Sequence, residues 1–224
     1  MKMKIRVVLV EPEHDINVGF CSRAMKNFGF RELYIVKPKA PLGFEALKYA
    51  KHAQDVFKQA KRVKSMKQAL RGCKLVVGTT GVGKRSKQVI RNPISIAELK
   101  RRLKGEKGKL ALVLGREGMG LSPDEIGGCD LLAKIESDGN YPVLNLSHAL
   151  AILLYELRGT RGGTWENLAE RRERRELVKA FERIAKRSSA RNPSKITAAF
   201  KNMVERSLIS SFEARSMLAA LKEV

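Results

Sequence analysis

Five short aliphatic runs, each opening into a turn or a polar loop, constrain this chain more than any other feature. They are Ile5–Val10, Leu33–Val36, Leu75–Val77, Leu110–Leu114 and Leu131–Ile135. Runs this short, rich in branched side chains and without polar alternation, read as strands buried on both faces. Between the first two lies Asn17–Phe28, with helical spacing. Val18, Cys21, Met25 and Phe28 fall on one stripe, and Arg23 points roughly opposite it at about 100° per residue. Gly29 stops that helix. Strand, helix and strand in so short a span predict a right-handed βαβ unit and a parallel sheet, hence an α/β fold. Phe44–Leu70 reads as lysine-rich and mostly helical with one interruption at residues 60–64, and Ser95–Leu103 as a short basic helix.

The segment from Leu110 to Leu157 gathers the most chemistry. Its first strand opens directly into Gly115-Arg116-Glu117-Gly118-Met119-Gly120, where backbone can approach a ligand closely. Ser122-Pro123-Asp124-Glu125 is a helix start, with Ser as N-cap, Pro at the first helical position and Glu completing a capping box. After the second strand come Asp138-Gly139-Asn140-Tyr141-Pro142, which is turn chemistry, then Val143–Ser147 and an apolar helix from Ala149 to Leu157. Three loops after apolar runs in so short a span make a small-molecule site. A rival is the octet Gly78-Thr79-Thr80-Gly81-Val82-Gly83-Lys84-Arg85, close to a P-loop. Arg85 stands where the Mg²⁺-binding hydroxyl belongs, and Arg91-Asn92-Pro93 leaves no room for the helix that would hold phosphate. The octet reads better as a ligand-contacting loop with a basic, RNA-facing rim at Lys84 and Arg85.

Charge narrows the class of partner. The 224 residues carry 45 Lys and Arg against 23 Asp and Glu, a net charge of +22 spread over both halves. Ion-pair networks need acids in proportion, so the excess favours a polyanion, nucleic acid ahead of an anionic membrane. No run is long and apolar enough to span a membrane, and the N-terminus lacks a signal-peptide core. Cys21, Cys73 and Cys129 lie far apart and His14, His52 and His148 form no ligand pair, which argues for a reducing cytoplasm and against a metal site. Arg158–Thr164 has linker composition. The expected division is residues 1–157 as the main domain, 158–164 as linker and 165–224 as a small all-helical domain that binds RNA or stabilises a dimer. In that tail Trp165–Lys186 is helical with a narrow stripe of Leu177, Phe181 and Ile184; Arg171-Arg172 and Arg174-Arg175 lie outside it, and Arg171 and Arg172 are candidate RNA contacts. Ser194–Arg206 and Ser211–Val224 read as two further helices.

Three groups of residues, taken together, carry a family resemblance. Asn17-Val18-Gly19, Arg23-Ala24-Met25-Lys26 and Phe28-Gly29 resemble the first motif of the SpoU/TrmH group of SPOUT methyltransferases. Leu114–Leu121 is similar to the second motif, and Leu144-Asn145-Leu146-Ser147-His148-Ala149 to the third. Order and separation match over roughly residues 4–157. The context of Arg23, Leu75–Thr80 and the helical extension is most similar to the branch acting on the ribose 2′-oxygen of tRNA nucleotide 32, in the anticodon loop. The resemblance implies a parallel sheet closed by a deep C-terminal trefoil knot, an S-adenosyl-L-methionine pocket, and a homodimer whose first-motif arginine serves a site built with the partner subunit. It implies tRNA as substrate, with ribosomal RNA or a non-catalytic RNA-binding role as alternatives. One departure stands out: Val143 occupies the place of a family serine, so the role of that hydroxyl is dispensable or filled elsewhere.

On this reading the donor is held by Thr79, Thr80, Gly81, Leu114, Gly115, Arg116, Glu117, Gly120, Ile135, Val143, Leu144, Asn145 and Ala149. Arg23, always charged, binds the target phosphate and stabilises the developing alkoxide. Asn17 is either a helix N-cap or a positioning group, Glu117 pairs with Arg23 or the ligand amine, and Asn145 anchors its loop; all three count with Arg23 as catalytic candidates. Arg23, Lys84, Arg85 and Arg116 complete the expected RNA contacts beside Arg171 and Arg172, and no metal is called for.

Overall fold

The aliphatic runs pair side by side into one sheet in which every strand is parallel to its neighbours. In chain order the strands are β1 Lys4–Val10, β2 Glu32–Val36, β3 Lys61–Val63, β4 Leu75–Thr79, β5 Ile94–Ser95, β6 Lys109–Leu114 and β7 Leu131–Lys134. Their order across the sheet is β3-β2-β1-β6-β4-β7-β5. The computed structural model describes residues 4–81, 92–104, 108–158, 168–189, 191–207 and 209–221. Two compact units divide the chain, residues 1–163 and 164–224.

The helices of the first unit are α1 Asp15–Asn27, α2 Phe44–Ala50, α3 Gln54–Lys58, α4 Met66–Ala69, α5 Ile96–Leu103, α6 Pro123–Gly127 and α7 Leu146–Leu157. Val7, Val8, Leu9, Leu112 and Val113 are wholly buried, so the central strands carry helices on both faces, as an all-parallel sheet requires. The stripe of α1 goes where its spacing says: Val18, Cys21 and Met25 are buried and Arg23 is exposed. Phe28 caps the helix through its N–H on Ala24 O, and Gly29 follows at φ +81°. α1 packs so tightly on α2 that a Cβ at Gly19 would lie 2.5 Å from the Ala46 carbonyl oxygen.

Three elements differ from expectation. The interruption at residues 60–64 is the edge strand β3, paired with β2 from Tyr34↔Lys61 to Val36↔Val63. A two-residue strand, β5, precedes α5 and pairs with β7. The last helix of this unit also starts earlier than its apolar run, at Leu146, because Asn145 caps it and accepts from Ser147 N–H at 2.9 Å. In the second unit α8 is Arg171–Arg187, α9 Pro193–Ser207 and α10 Ser211–Ala220. Leu177 and Val204 are buried there and Phe181 stacks on Phe200 at 3.9 Å. Trp165 and most of the 158–164 stretch lie outside the described residues, as do Lys84 and Arg85.

Gly19→Ala is expected to lower unfolding stability by about 1–3 kcal/mol, because the obstructing atom is backbone and cannot rotate away. Denaturant unfolding of the variant against the parent chain measures it.

Candidate active site

The loops that follow β4, β6 and β7 converge beyond the carboxyl ends of those strands, where ligands bind in parallel α/β sheets. They enclose a cavity of about 330 Å³ lined by Thr79–Gly81, Leu114–Leu121, Ile126, Ala133, Ile135, Pro142–Leu144, Leu146 and Ala149. That volume falls within the roughly 300–1,000 Å³ of small-molecule sites. All the residues expected to hold a donor line it except Asn145, which instead borders the neighbouring groove with Asn17 and Arg23.

The 115–120 loop owes its shape to its glycines and to one arginine. Arg116 and Gly120 exchange backbone hydrogen bonds of 3.2 and 2.9 Å, with Gly120 at φ +67°. A Cβ at Gly115 would sit 2.2 Å from the Gly120 carbonyl carbon, so no larger residue fits. The Arg116 guanidinium turns inward. It forks onto Glu125 at 2.9 and 3.0 Å, reaches Glu11 at 3.0 Å and donates to Gly120 O at 3.2 Å. Only 14% of its side chain is exposed. The RNA contact expected of Arg116 therefore gives way to an internal clamp. Glu125 completes the capping box with Ser122 at the same time. Burial, the largest single influence, would raise the Glu125 carboxyl, but the Arg116 hydrogen bonds and charge together with the Ser122 N–H and hydroxyl outweigh it and hold the group below the usual range.

A second set of bonds ties the three motifs together. Ser147 donates through Oγ to Asn145 Oδ1 at 2.8 Å, and Asn145 Nδ2 donates to Asn17 Oδ1 at 3.1 Å. Asn17 Nδ2 then donates to Glu117 Oε1 at 2.9 Å, while Glu117 Oε2 accepts from Glu13 N–H at 2.8 Å. Glu13 returns the contact by accepting from Gly118 N–H at 3.1 Å. Asn17 is therefore not the N-cap of α1. That place is His14, without a side-chain bond, and Asn17 is buried in the first turn. Glu117 does not pair with Arg23, which is exposed and makes no hydrogen bond or ion pair among the described residues. Arg23 does share one groove of about 430 Å³ with Asn17, Asn145, Ser147 and His148. Val143 is half-exposed at the cavity wall; beside it the Ser137 hydroxyl is committed to Pro142 O at 3.0 Å. The residues that pattern reading missed are Glu11 and Glu13. They carry no motif, and only the pairing of β1 with β6 brings them to the loop.

Gly115→Ala is expected to reduce donor affinity at least tenfold in calorimetry, whereas Gly139→Ala, whose added Cβ meets nothing within 4 Å, leaves it unchanged. Acid should open the same loop. Glu13, held low by Lys39 and then by the Gly118 N–H, and Glu125 both have folded values below their unfolded ones. Their contribution is therefore complete above the ordinary carboxylate range near 4.5 and is lost as pH falls through the lowered folded values. Thermal melts from pH 7 downward should stay level until below that range and then drop.

Residues 4–155 match the SpoU rRNA Methylase family. The tRNA (cytidine-2'-O-)-methyltransferase TrmJ of Methanocaldococcus jannaschii is 35% identical over 230 residues, spanning 99% of this chain and all of that protein. The enzyme of the same name from Sulfolobus acidocaldarius is 40% identical over 156 residues, 69% of this chain and 65% of its own length. Among solved structures, a probable methylase family protein from Haemophilus influenzae Rd KW20 superposes with TM-score 0.65 at 27% identity, over 100% of this chain and 97% of that one. TrmJ from Z. mobilis ZM4 shares the fold, with TM-score 0.73 at 22% identity over 97% of each chain. With its three motifs bonded around one cavity and the match running almost the length of the first unit, this chain belongs to the SpoU methylase family.

Proposed function

We propose that this chain is an S-adenosyl-L-methionine-dependent tRNA 2′-O-ribose methyltransferase acting on anticodon-loop nucleotide 32, a cytidine or uridine. The observation that carries the reading is the adjacency of two spaces. A mostly apolar cavity with glycine-shaped walls opens beside a groove in which an exposed guanidinium, unpaired among the described residues, shares walls with the residues that bond the three motifs. TrmJ relatives matching most of this chain support tRNA as the substrate.

The cavity fits the donor by chemistry. Leu114, Leu121, Ile135 and Leu144 offer apolar faces to an adenine, and Thr79–Gly81 with the 115–120 loop offer small residues and backbone to the amino-acid part. A Cβ at Gly81 would lie 3.3 Å from Val143 Cα, so the wall between those two loops is thin. The same reading includes a deep trefoil knot through which the C-terminal part of the methyltransferase domain is tucked. When bound, the donor supplies an electrophilic sulfonium methyl; this chain supplies position and charge.

Arg23 does the work on the acceptor. A guanidinium stays protonated at any working pH, so it binds the phosphate beside the target ribose and favours the 2′-alkoxide electrostatically rather than acting as an ordinary base. Glu117 is spent on two donors, and with Asn17 and Asn145 it is a positioning group: together they fix the first turn of α1, and so the line along which Arg23 leaves the helix. The Asn145 side chain holds its own loop by capping α7. The same reading includes a homodimer in which Arg23 serves a site completed by the second subunit. Ile152 and Tyr155, exposed on α7, supply apolar surface for it. Arg171 and Arg172 extend the RNA contact from the second unit.

Arg23→Ala should reduce tritiated-methyl transfer to tRNA about 10²–10³-fold while donor binding by calorimetry stays within about twofold. Arg23→Lys, which keeps charge but loses the fork, should recover only part of it. Unchanged turnover in Arg23→Ala removes this residue from the mechanism, and ribose-methylation mapping that finds no mark at nucleotide 32 overturns the assignment of the target.

A further inference from the structure

The groove that holds Arg23 does not end there. It shares Arg23 and Asn27 with a second concavity lined by Lys26, Ala50, Lys51 and His52, and that one shares Lys26, Lys51 and His52 with a third reaching Lys48 and Gln54. The three make one trough along the outer face of α1 and α2, and its lining is basic. The acid in it, Asp55, is already matched by Lys26 at 2.8 Å and Arg31 at 2.7 Å. Lys51, like Arg23, has no hydrogen bond or ion pair among the described residues. Lys48 is half-exposed and holds Glu45 only at 3.6 Å, a surface contact of little worth.

The backbone under Lys51 points the same way. Its φ of 51° with ψ of −121° is a conformation that side-chain-bearing residues rarely adopt. It is imposed from below: Ala50 and Ala53 are buried, and the Gly19 contact presses α1 onto Ala46 and the Ala50 nitrogen. A glycine would sit there without strain, yet the position carries an extended cation. Strain of this kind persists where the surroundings over-determine it, and clusters at binding sites.

We infer that this trough is a phosphate track: it holds the RNA backbone flanking the methylated nucleotide, with Lys51 and Lys48 each taking a phosphate beyond the one held by Arg23. The inference rests on the tRNA reading above and adds a site to it. The partner it fits is single-stranded or splayed RNA, since a line of separate cations follows a backbone without reading bases.

Full-length protein and a tRNA transcript test it, with the double variant Lys48→Ala/Lys51→Ala and the single variants Lys51→Ala and Lys51→Gly. The double variant should bind tRNA about tenfold more weakly at low salt. Its plot of log affinity against log salt should flatten by about 1.4, two phosphates at about 0.7 each for single strands. Its KM for tRNA should rise at nearly unchanged kcat and donor affinity. Lys51→Gly should melt at or above the parent temperature because the strain is relieved, yet lose as much tRNA affinity as Lys51→Ala, which a purely structural lysine would not do. Unaltered affinity and salt slope in the double variant, with the parent protein methylating tRNA, overturns the track and leaves the enzyme reading intact. A parent protein that transfers no methyl to tRNA overturns the enzyme reading first, and the track with it.

Discussion

The site depends on the register between β1 and β6. Pairing Leu9 with Leu114 in parallel sends both strands out of the sheet at the same level. Glu11-Pro12-Glu13 and Arg116-Glu117-Gly118 then have to run alongside each other. Two loops so placed carry backbone N–H groups and charges that need partners, and each supplies the other's: Glu13 N–H goes to Glu117, Gly118 N–H to Glu13, and Arg116 to Glu11. Of these, the Arg116–Glu11 pair is the most sheltered, with side chains 14% and 23% exposed. Removing Glu11 or Glu125 would leave the sheltered Arg116 guanidinium less compensated, which costs more than the roughly 0–1 kcal/mol of an exposed ion pair. A glycine-rich loop is entropically expensive to hold in one shape. The reciprocal clamp and Arg116 hold this one open toward the cavity.

Much of the fold was legible because its strands are buried on both faces. Burial of that kind leaves continuous aliphatic runs, and β1, β2, β4, β6 and β7 were found with their ends nearly right. The capping box of α6 was equally plain, since Ser122, Pro123 and Glu125 act within one helical turn. The two strands that escaped are edge strands. Lys61-Arg62-Val63 has two long cations where a strand pattern wants branched apolar residues, and it is a strand only because β2 offers it a row of backbone groups. β5 is two residues long and owes its identity to β7 in the same way.

The candidate site was legible in part, along the same line between local and non-local. Residues that follow a strand directly, such as Thr79–Gly81 and Leu114–Gly120, are tied to the sheet's carboxyl edge by sequence alone, and they line one cavity. What a side chain does there depends on partners about a hundred residues away. Asn17 looks like a cap because it precedes an apolar stripe, but Glu117 and Asn145 both reach it and its amide bridges them. Arg116 looks like an RNA contact because it is an arginine in a loop. Only the presence of Glu11 and Glu125 on either side of it turns the guanidinium inward.

Charge is distributed differently around the two spaces, in the sense the proposed ligands require. A chain of net charge +22 repels cations over most of its surface, and a sulfonium donor is a cation. Around the 115–120 loop that forms one cavity wall the balance is reversed: Glu11, Glu13, Glu117 and Glu125 gather there against Arg116 and Lys39. Glu117 faces the cavity itself with both oxygens held by neutral N–H donors rather than by a cation, so its negative charge is not cancelled. The local field therefore favours a positive ligand inside a molecule whose outer face favours a polyanion. The relay through Asn17 keeps the two apart without separating them. It spends the carboxylate on the cavity side, while in the neighbouring groove that Asn17 and Asn145 also line, Arg23 has no ion pair among the described residues.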